Sequence, residues 1–327
     1  MSNPRKQLLG ISNAIVDVLG NVDPNLLEKL GAPPGSMTLV DKDQAVDIYA
    51  LMGPAIESAG GSVANTIACF ASLGGTSAYI GRVADDQFGQ VFTHDMQSLG
   101  VDVRLPPETR QAPTARCHVL ITPDGERTMQ TYLGACVEIA TSDIRGDTIG
   151  SNDIVLLDGY VWDTPDGPAA MRAAIELAKA QDSQIALSLS DSFCVERHLA
   201  AFRALVNGDA DIIIGNEAET LALFNVNDVD TARKAAAANG RLFAMTRSEH
   251  GSEIIHGDVH VQQPADPIEK LVDATGAGDA WVAGFLYGMT HDMPLAVSTG
   301  LATRCATLAV QRVGARPSPD ELRALLG

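Results

Sequence analysis

Short strand-like runs, each followed by a turn and then a helical pattern, recur along all 327 residues, and this alternation narrows the chain to few architectures. Strands are expected over 7–16, 76–80, 154–157, 184–189, 211–214 and 242–246. Helices are expected over 24–30, 62–73, 165–180, 217–224 and 280–289. Several strands, such as Ile154-Val155-Leu156-Leu157, are continuous apolar runs, as expected where helices cover both faces of a sheet. The pattern predicts an α/β fold: a doubly wound, mainly parallel sheet with right-handed crossovers. No repeat, low-complexity tract or linker divides the chain, so residues 1–327 read as one domain.

One region breaks the alternation. Residues 114–131 read as two strands around Pro123-Asp124-Gly125, a hairpin turn in which glycine supplies the positive φ. Segments 14–40 and 103–133 are therefore expected to build a small β lid at the edge of the main sheet. Ligands of such folds bind outside the carboxyl ends of the strands, where a lid closes over them.

Acidic residues outnumber basic ones 41 to 23, a net charge of −18, which argues against nucleic-acid or anionic-membrane partners. A small anion held by local backbone donors remains compatible with it. Five scattered cysteines without C-x-x-C spacing read as reduced thiols of a cytoplasmic protein. No secretory leader is expected, because Gly10, Ser12 and Asn13 interrupt the apolar residues after Arg5 and Lys6. The uncharged stretch 58–81 is long enough to span a bilayer, but Gly60, Gly61, Ser62 and Asn65 make it too polar to insert.

The sharpest motif is Asp273-Ala274-Thr275-Gly276-Ala277-Gly278-Asp279-Ala280-Trp281-Val282-Ala283-Gly284-Phe285. Gly276 and Gly278 open an uncharged, interior-type helix, where bare backbone amides and the helix dipole favour an oxygen anion. Asp279 lies in its first turn, facing a substrate hydroxyl or simply occupying a favourable position for an acid. Neither the P-loop pattern nor a complete G-x-G-x-x-G is present.

This string resembles the C-terminal signature of the ribokinase-like (PfkB) family of sugar and nucleoside kinases. Ala59-Gly60-Gly61-Ser62-Val63-Ala64-Asn65-Thr66, with Gly81-Arg82-Val83-Ala84-Asp85-Asp86 downstream, resembles its N-terminal signature, with Ala84 where glycine is usual. Asn216-Glu217-Ala218-Glu219 falls between them, resembling the family's N-x-x-E motif. The resemblance implies a ribokinase-like fold and ATP-dependent phosphorylation of a primary hydroxyl. Asp279 would be the base, worth roughly 10²–10⁴ in rate. The amides around Gly276, Ala277 and Gly278 would form an anion hole of comparable or larger effect.

By the same resemblance, Asn216 and Glu219 lie beside Mg²⁺ near the ATP phosphates; read alone, they also form a helix-capping box. Thr246-Arg247-Ser248-Glu249-His250-Gly251 resembles the family's T-x-G-x-x-G turn, with Ser248 for a glycine. It implies ATP contacts at Thr246, Ser248 and Gly251, with Thr303 at the adenine edge. Asp273 stands where some relatives bind potassium.

On the acceptor side, Gly60, Gly61 and Ser62 let backbone approach a ligand. Asn65 is either a sugar-hydroxyl ligand or a satisfied buried amide. Asn13 and Asp17 are expected to share one strand face roughly 13 Å apart, so Asp17 is assigned to the sugar hydroxyls and Asn13 to another edge of the pocket. Gly10-x-x-Asn13-x-x-x-Asp17, Leu187–Phe193 and Arg312-Val313-Gly314 resemble segments of adenosine kinases. Many sugar kinases carry D-x-N-x-R where this chain has Ser188-Leu189-Ser190. Tyr160 and Trp162 are candidate base clamps, or ordinary packing. The expected activity is phosphorylation of the 5′-hydroxyl of a purine nucleoside, adenosine first, by a monomer or homodimer. The alternatives are a ribose or fructose kinase and a nucleoside- or nucleotide-binding protein without catalysis.

Overall fold

The computed structural model describes residues 5–105 and 112–327. In chain order the strands are β1 (Lys6–Ile11), β2 (Ile15–Asn21), β3 (Met37–Leu39), β4 (Ala55–Gly60), β5 (Ser77–Ile80), β6 (Asp102–Val103) and β7 (Ala115–Ile121). They continue with β8 (Arg127–Tyr132), β9 (Asn152–Asp158), β10 (Gln184–Ser188), β11 (Ile212–Asn216), β12 (Leu242–Thr246), β13 (Ser252–His256) and β14 (Val259–Gln263). Nine form one sheet in the order β14-β13-β12-β11-β10-β9-β1-β5-β6. All neighbours from β12 to β6 run parallel, and β13 and β14 close one edge antiparallel.

The apolar runs explain the layering. Leu8, Leu156, Ile212 and Ala244 point into one hydrophobic cluster, while Leu9, Val155, Ile213 and Phe243 point into another on the opposite face. Helices Ser62–Ser72 and Ala277–Thr290 both cover the first face, through Ile67, Phe70, Trp281 and Phe285. The helices that begin with the two glycine-rich motifs are thus neighbours above the same strands. All five cysteines are buried. Among the described residues, no helix is long and apolar enough to cross a membrane.

A second sheet of five strands has the order β3-β8-β7-β2-β4. The 114–131 hairpin appears as β7 and β8, joined through a turn with Gly125 at φ 86°. Two expectations are corrected here. Residues 7–16 are not one strand: the backbone leaves β1 after Ile11, passes Ser12, Asn13 and Ala14, and enters the other sheet as β2. The small sheet also takes in β4, outside the expected segments, because Ile15–Gly20 pairs antiparallel with Ala55–Gly60.

Gly10 on β1 is the seat for helix Ser62–Ser72. A β-carbon there would lie 2.6 Å from Ile67 Cγ1 and 2.8 Å from Val63 Cγ1. Gly10→Ala is expected to lower stability by about 1–3 kcal/mol through overpacking, read as a lower urea midpoint with unchanged slope.

Candidate active site

Ser62 and Asp279, 217 positions apart in sequence, meet at one carboxylate. Asp279 Oδ1 accepts from Ser62 Oγ at 2.8 Å, and Oδ2 accepts from Asn65 Nδ2 at 3.1 Å. Thr66 Oγ1 donates to the Asp279 carbonyl at 3.3 Å. Ser62, Asn65 and Thr66 reach the same neighbour because i, i+3 and i+4 share a helix face. Burial pushes the half-buried Asp279 up to about 7, outweighing the Ser62 and Asn65 hydrogen bonds, and the charges of Asp158 and Asp17 add to the rise.

Both helix starts around this carboxylate are bare. Gly276 precedes Ala277–Thr290 at φ 73°, and Gly61 precedes Ser62–Ser72 at φ 97°; neither helix has a side-chain cap. These backbone angles penalise any residue with a β-carbon. The Ala277 amide donates to the Ala274 carbonyl at 3.2 Å, which leaves the Gly278 and Asp279 amides as the orphan donors of that helix start. A β-carbon on Gly276 would strike the Ala315 carbonyl at 2.0 Å, whereas one on Gly278 would meet nothing within 4 Å. Gly276 is therefore required by the fold, and Gly278 fronts open space.

The turn after β1 brings the residues expected on the acceptor side, Asn13 and Asp17, here. Gly61 lies against the Asn13 carbonyl, where a β-carbon would sit at 2.6 Å. Gly60 lies against Asp17, with the corresponding distance to Oδ2 being 2.3 Å. The expected shared strand face of Asn13 and Asp17 is thus incorrect: the backbone bends between them, and both come to the Gly60-Gly61 pair. Burial pushes Asp17 up to about 6, against the nearby charges of Arg316 and Arg127. Asn13 Oδ1 and Asn65 Oδ1 are buried without a partner, two acceptors free for hydroxyls. Strand register puts Leu19 and Ile56, and beyond them Val119 and Met129, on the Asp17 face of the small sheet; Ile56 is 72% exposed.

Further along the carboxyl edge of the main sheet, Asn216 and Thr246 are register partners at the ends of β11 and β12. Asn216 caps helix Glu217–Phe224 in a full capping box: Glu219 N donates to its Oδ1, and Asn216 N donates back to Glu219 Oε2, both at 2.9 Å. Asn216 Nδ2 also donates to Glu219 Oε1 at 2.6 Å. Burial pushes Glu219 up to about 7 against the Asn216 amide, with Asp191 adding to the rise. With both oxygens engaged, these residues fit Mg²⁺ held through its own waters and not one ligated directly by Glu219. Ser248 adopts φ 50° and Gly251 φ 84°, which is the physical reason glycine is usual at both positions. Arg247 ties this turn to the neighbouring helix start, pairing with Glu217 and with Glu253 at 2.8 Å each.

Three expectations fare differently. Trp162 is not a base clamp: it is buried, edge-on to Phe202 with ring centroids 5.4 Å apart. Thr303 is buried too, its hydroxyl turned onto its own helix to donate to the Thr299 carbonyl at 3.0 Å. Asp273 is already neutralised: Arg127 Nη1 pairs with it at 2.7 Å, and Thr275 N and Gly314 N donate to it at 3.0 and 2.9 Å. That carboxylate does not fit a further potassium ion.

Asp158 escaped the sequence reading. It ends β9, is 1% exposed, and accepts from Ser12 Oγ, Ser190 Oγ and the Tyr160 amide at 2.6, 2.7 and 3.0 Å. Its signal was available, since an acid directly after an apolar run in a parallel sheet sits where ligands bind.

The pfkB family carbohydrate kinase model matches residues 55–322. The chain belongs to that family. The adenosine kinase of Sinorhizobium meliloti is 41% identical in sequence, with a TM-score of 0.89 over 99% of each chain. A probable sugar kinase from Rhizobium etli CFN 42 is 37% identical, also at 0.89, over 100% of this chain and 99% of that one. Fructokinase-1 of Zea mays is 27% identical, covering 83% of this chain and 88% of its own length. The protein is a PfkB kinase, a phosphotransferase with an alcohol group as acceptor, and family membership implies ATP as the phosphoryl donor.

The two glycines at this helix start are separable by experiment. Gly276→Ala should destabilise the fold by more than about 1–2 kcal/mol, the left-handed penalty with a clash added. Gly278→Ala should leave stability within about 0.5 kcal/mol. It should still lower kcat about 10²-fold, the cost of a ~1 Å misplacement. Thermal melts alongside steady-state ADP release distinguish the two.

Proposed function

We propose that this kinase transfers the γ-phosphoryl group of ATP to the 5′-hydroxyl of a purine nucleoside, with adenosine its best acceptor. The observation that carries the reaction is Asp279, fixed by Ser62 and Asn65 beside the orphan amides of its own helix start. In this reading the acceptor oxygen bonds to the γ-phosphorus while the bond to the ADP leaving oxygen breaks, and the hydroxyl proton passes to Asp279. The amides of Gly278 and Asp279 stabilise charge on the transferring group, which dominates in phosphoryl transfer. Mg²⁺ beside Asn216 and Glu219 supplies neutralising charge to the phosphates when bound. Thr246, Ser248 and Gly251 form the turn that lines the donor, and Arg247 holds that turn to the Asn216 helix.

On the acceptor side, Asp17 and the free oxygens of Asn13 and Asn65 accept from the ribose hydroxyls. Two features favour a nucleoside over a free sugar. The sheet face that carries Asp17 continues as Leu19, Ile56 and Met129, apolar surface suited to a base and wasted on a hydroxyl-rich hexose. Ser188-Leu189-Ser190 also replaces the charged element of many sugar kinases. The five-stranded sheet serves as the lid, excluding water and so limiting ATP hydrolysis.

Coupled ADP release measured with adenosine, inosine, guanosine, ribose and fructose should give the highest kcat/KM with adenosine; a hexose in first place would overturn the acceptor assignment. Wild type that binds nucleoside yet never releases ADP would establish the non-catalytic alternative. Asp279→Asn should lower kcat by roughly 10²–10⁴-fold while leaving nucleoside affinity nearly unchanged.

A pH profile tests the base directly. Asp279 is raised to about 7, so it is protonated and unable to accept a proton below that pH. The expected kcat/KM falls about tenfold per pH unit below ~7 and levels off above it. A flat profile from pH ~5 to ~9 would remove Asp279 from that role.

A further inference from the structure

The Arg127–Asp273 pair ties the small sheet to the loop that leads into helix Ala277–Thr290, at the centre of the site. Arg127 opens β8, directly after the turn of the β7–β8 hairpin, and belongs to the small sheet. Asp273 precedes the anion-binding turn, and Asp273 N bonds to the Val310 carbonyl of helix Leu295–Val310 at 3.2 Å. The side chains of the pair are only 12% and 3% exposed, so this ion pair is largely withdrawn from water. The carboxylate in turn orients Thr275 through its amide and Gly314 through Oδ2. Gly276, next to Thr275, rests on Ala315, next to Gly314. One guanidinium thus fixes the carboxylate that holds both strands of backbone beneath the orphan amides.

We infer that Arg127 is a tethered cation occupying the position a monovalent ion would take at Asp273, so that phosphoryl transfer by this chain is indifferent to potassium. The guanidinium already neutralises the carboxylate, whose oxygens also accept two backbone amides, so little charge is left to attract a mobile cation and Arg127 would repel one placed beside it. Unlike a mobile ion, this cation arrives with the small sheet. The anion-binding turn then acquires its buried counter-charge only when that sheet lies against the main body, which couples closure to readiness for catalysis. Arg127 is in this account a positioning residue, acting on the reacting groups through Asp273.

The inference rests on the phosphotransferase reading but not on the acceptor, and its test separates the two. ADP release by the full chain is measured with whichever acceptor turns over best, in KCl, NaCl and choline chloride at equal ionic strength. Thermal unfolding is followed in the same salts with no substrate at all. Wild type should show kcat values within about twofold across the three salts and no potassium-specific rise in melting temperature. Arg127→Met, which frees the carboxylate, should lose turnover in choline and recover about tenfold or more in KCl, with a melting temperature now raised specifically by potassium. Arg127→Lys keeps a tethered charge and should remain indifferent to the salt, which guards against a Met variant that folds poorly. Potassium stimulation of wild type by about tenfold over choline, or a potassium-specific rise in its melting temperature, would overturn the inference. So would an Arg127→Met protein that melts normally but responds to potassium in neither measurement. A wrong acceptor would show in the substrate panel and leave the salt comparison intact.

Discussion

Ser62 and Asn65 donating to Asp279 is the contact on which the rest of the site depends, because it locks two bare helix starts to each other. Either helix alone offers a partial positive charge and a few unpaired amides, a common feature of helix ends. Joined at the carboxylate, they converge from two sides on one small volume. The joint needs close packing to stay in register. Helix Ser62–Ser72 descends onto Gly10, and Gly284 and Gly288 let helix Ala277–Thr290 lie against Leu295–Val310 at Ala302 and Ser298. The glycines of the long interior helix thus serve packing on one side, while Gly278 serves the space in front of the helix start.

The cleft gathers acids at a cost to stability. Asp17, Asp158 and Asp279 all have raised proton affinity, each chiefly through burial, and Asp279 also feels the other two. A fold selected for stability alone would not place three carboxylates together at one sheet edge. The hydrogen bonds do not offset this evenly. Asp158 accepts from two serine hydroxyls and the Tyr160 amide and Asp279 from two side chains, while Asp17 has Arg127 and Arg316 as nearby charges. Asp279 thereby becomes a carboxylate whose proton affinity matches neutral pH, which a solvent-exposed aspartate cannot be.

Much of this was legible in the sequence, for identifiable reasons. Strand β12 and helices Pro24–Leu30 and Glu217–Phe224 follow from apolar period and capping residues, both local properties. Asp279 and its glycines were visible because a short motif encodes a helix start. The break after Ile11 was not, since Ser12-Asn13 is a short polar interruption between strand-forming Ile11 and Ile15-Val16, and only tertiary pairing separates β1 from β2. Misreading that break put Asn13 and Asp17 on one face. Strand β4 was hidden likewise: Ala55-Ile56-Glu57-Ser58 has no alternation of its own and becomes a strand by pairing with β2. Arg127 and Asp273 are 146 positions apart with no motif linking them, so their pairing is a property of the folded chain.

The net charge of −18 sharpens the question of how such a chain would hold a polyphosphate. Three cationic side chains among the described residues of this region are already committed: Arg127 to Asp273, Arg316 to Asp95, and Arg247 to Glu217 and Glu253. Long-range attraction therefore contributes little, and the overall field opposes the donor. Backbone amides at a helix start escape this difficulty. Their partial charges cannot titrate or pair away with an acid, and they act only at contact distance. Recognition on those terms depends on shape: an anion of the right geometry meets aligned donors, and any other meets a negatively charged surface. On the proposed reading, the acidity of the chain becomes part of its selectivity, because a ligand that misses the amides gains nothing from the rest of the molecule.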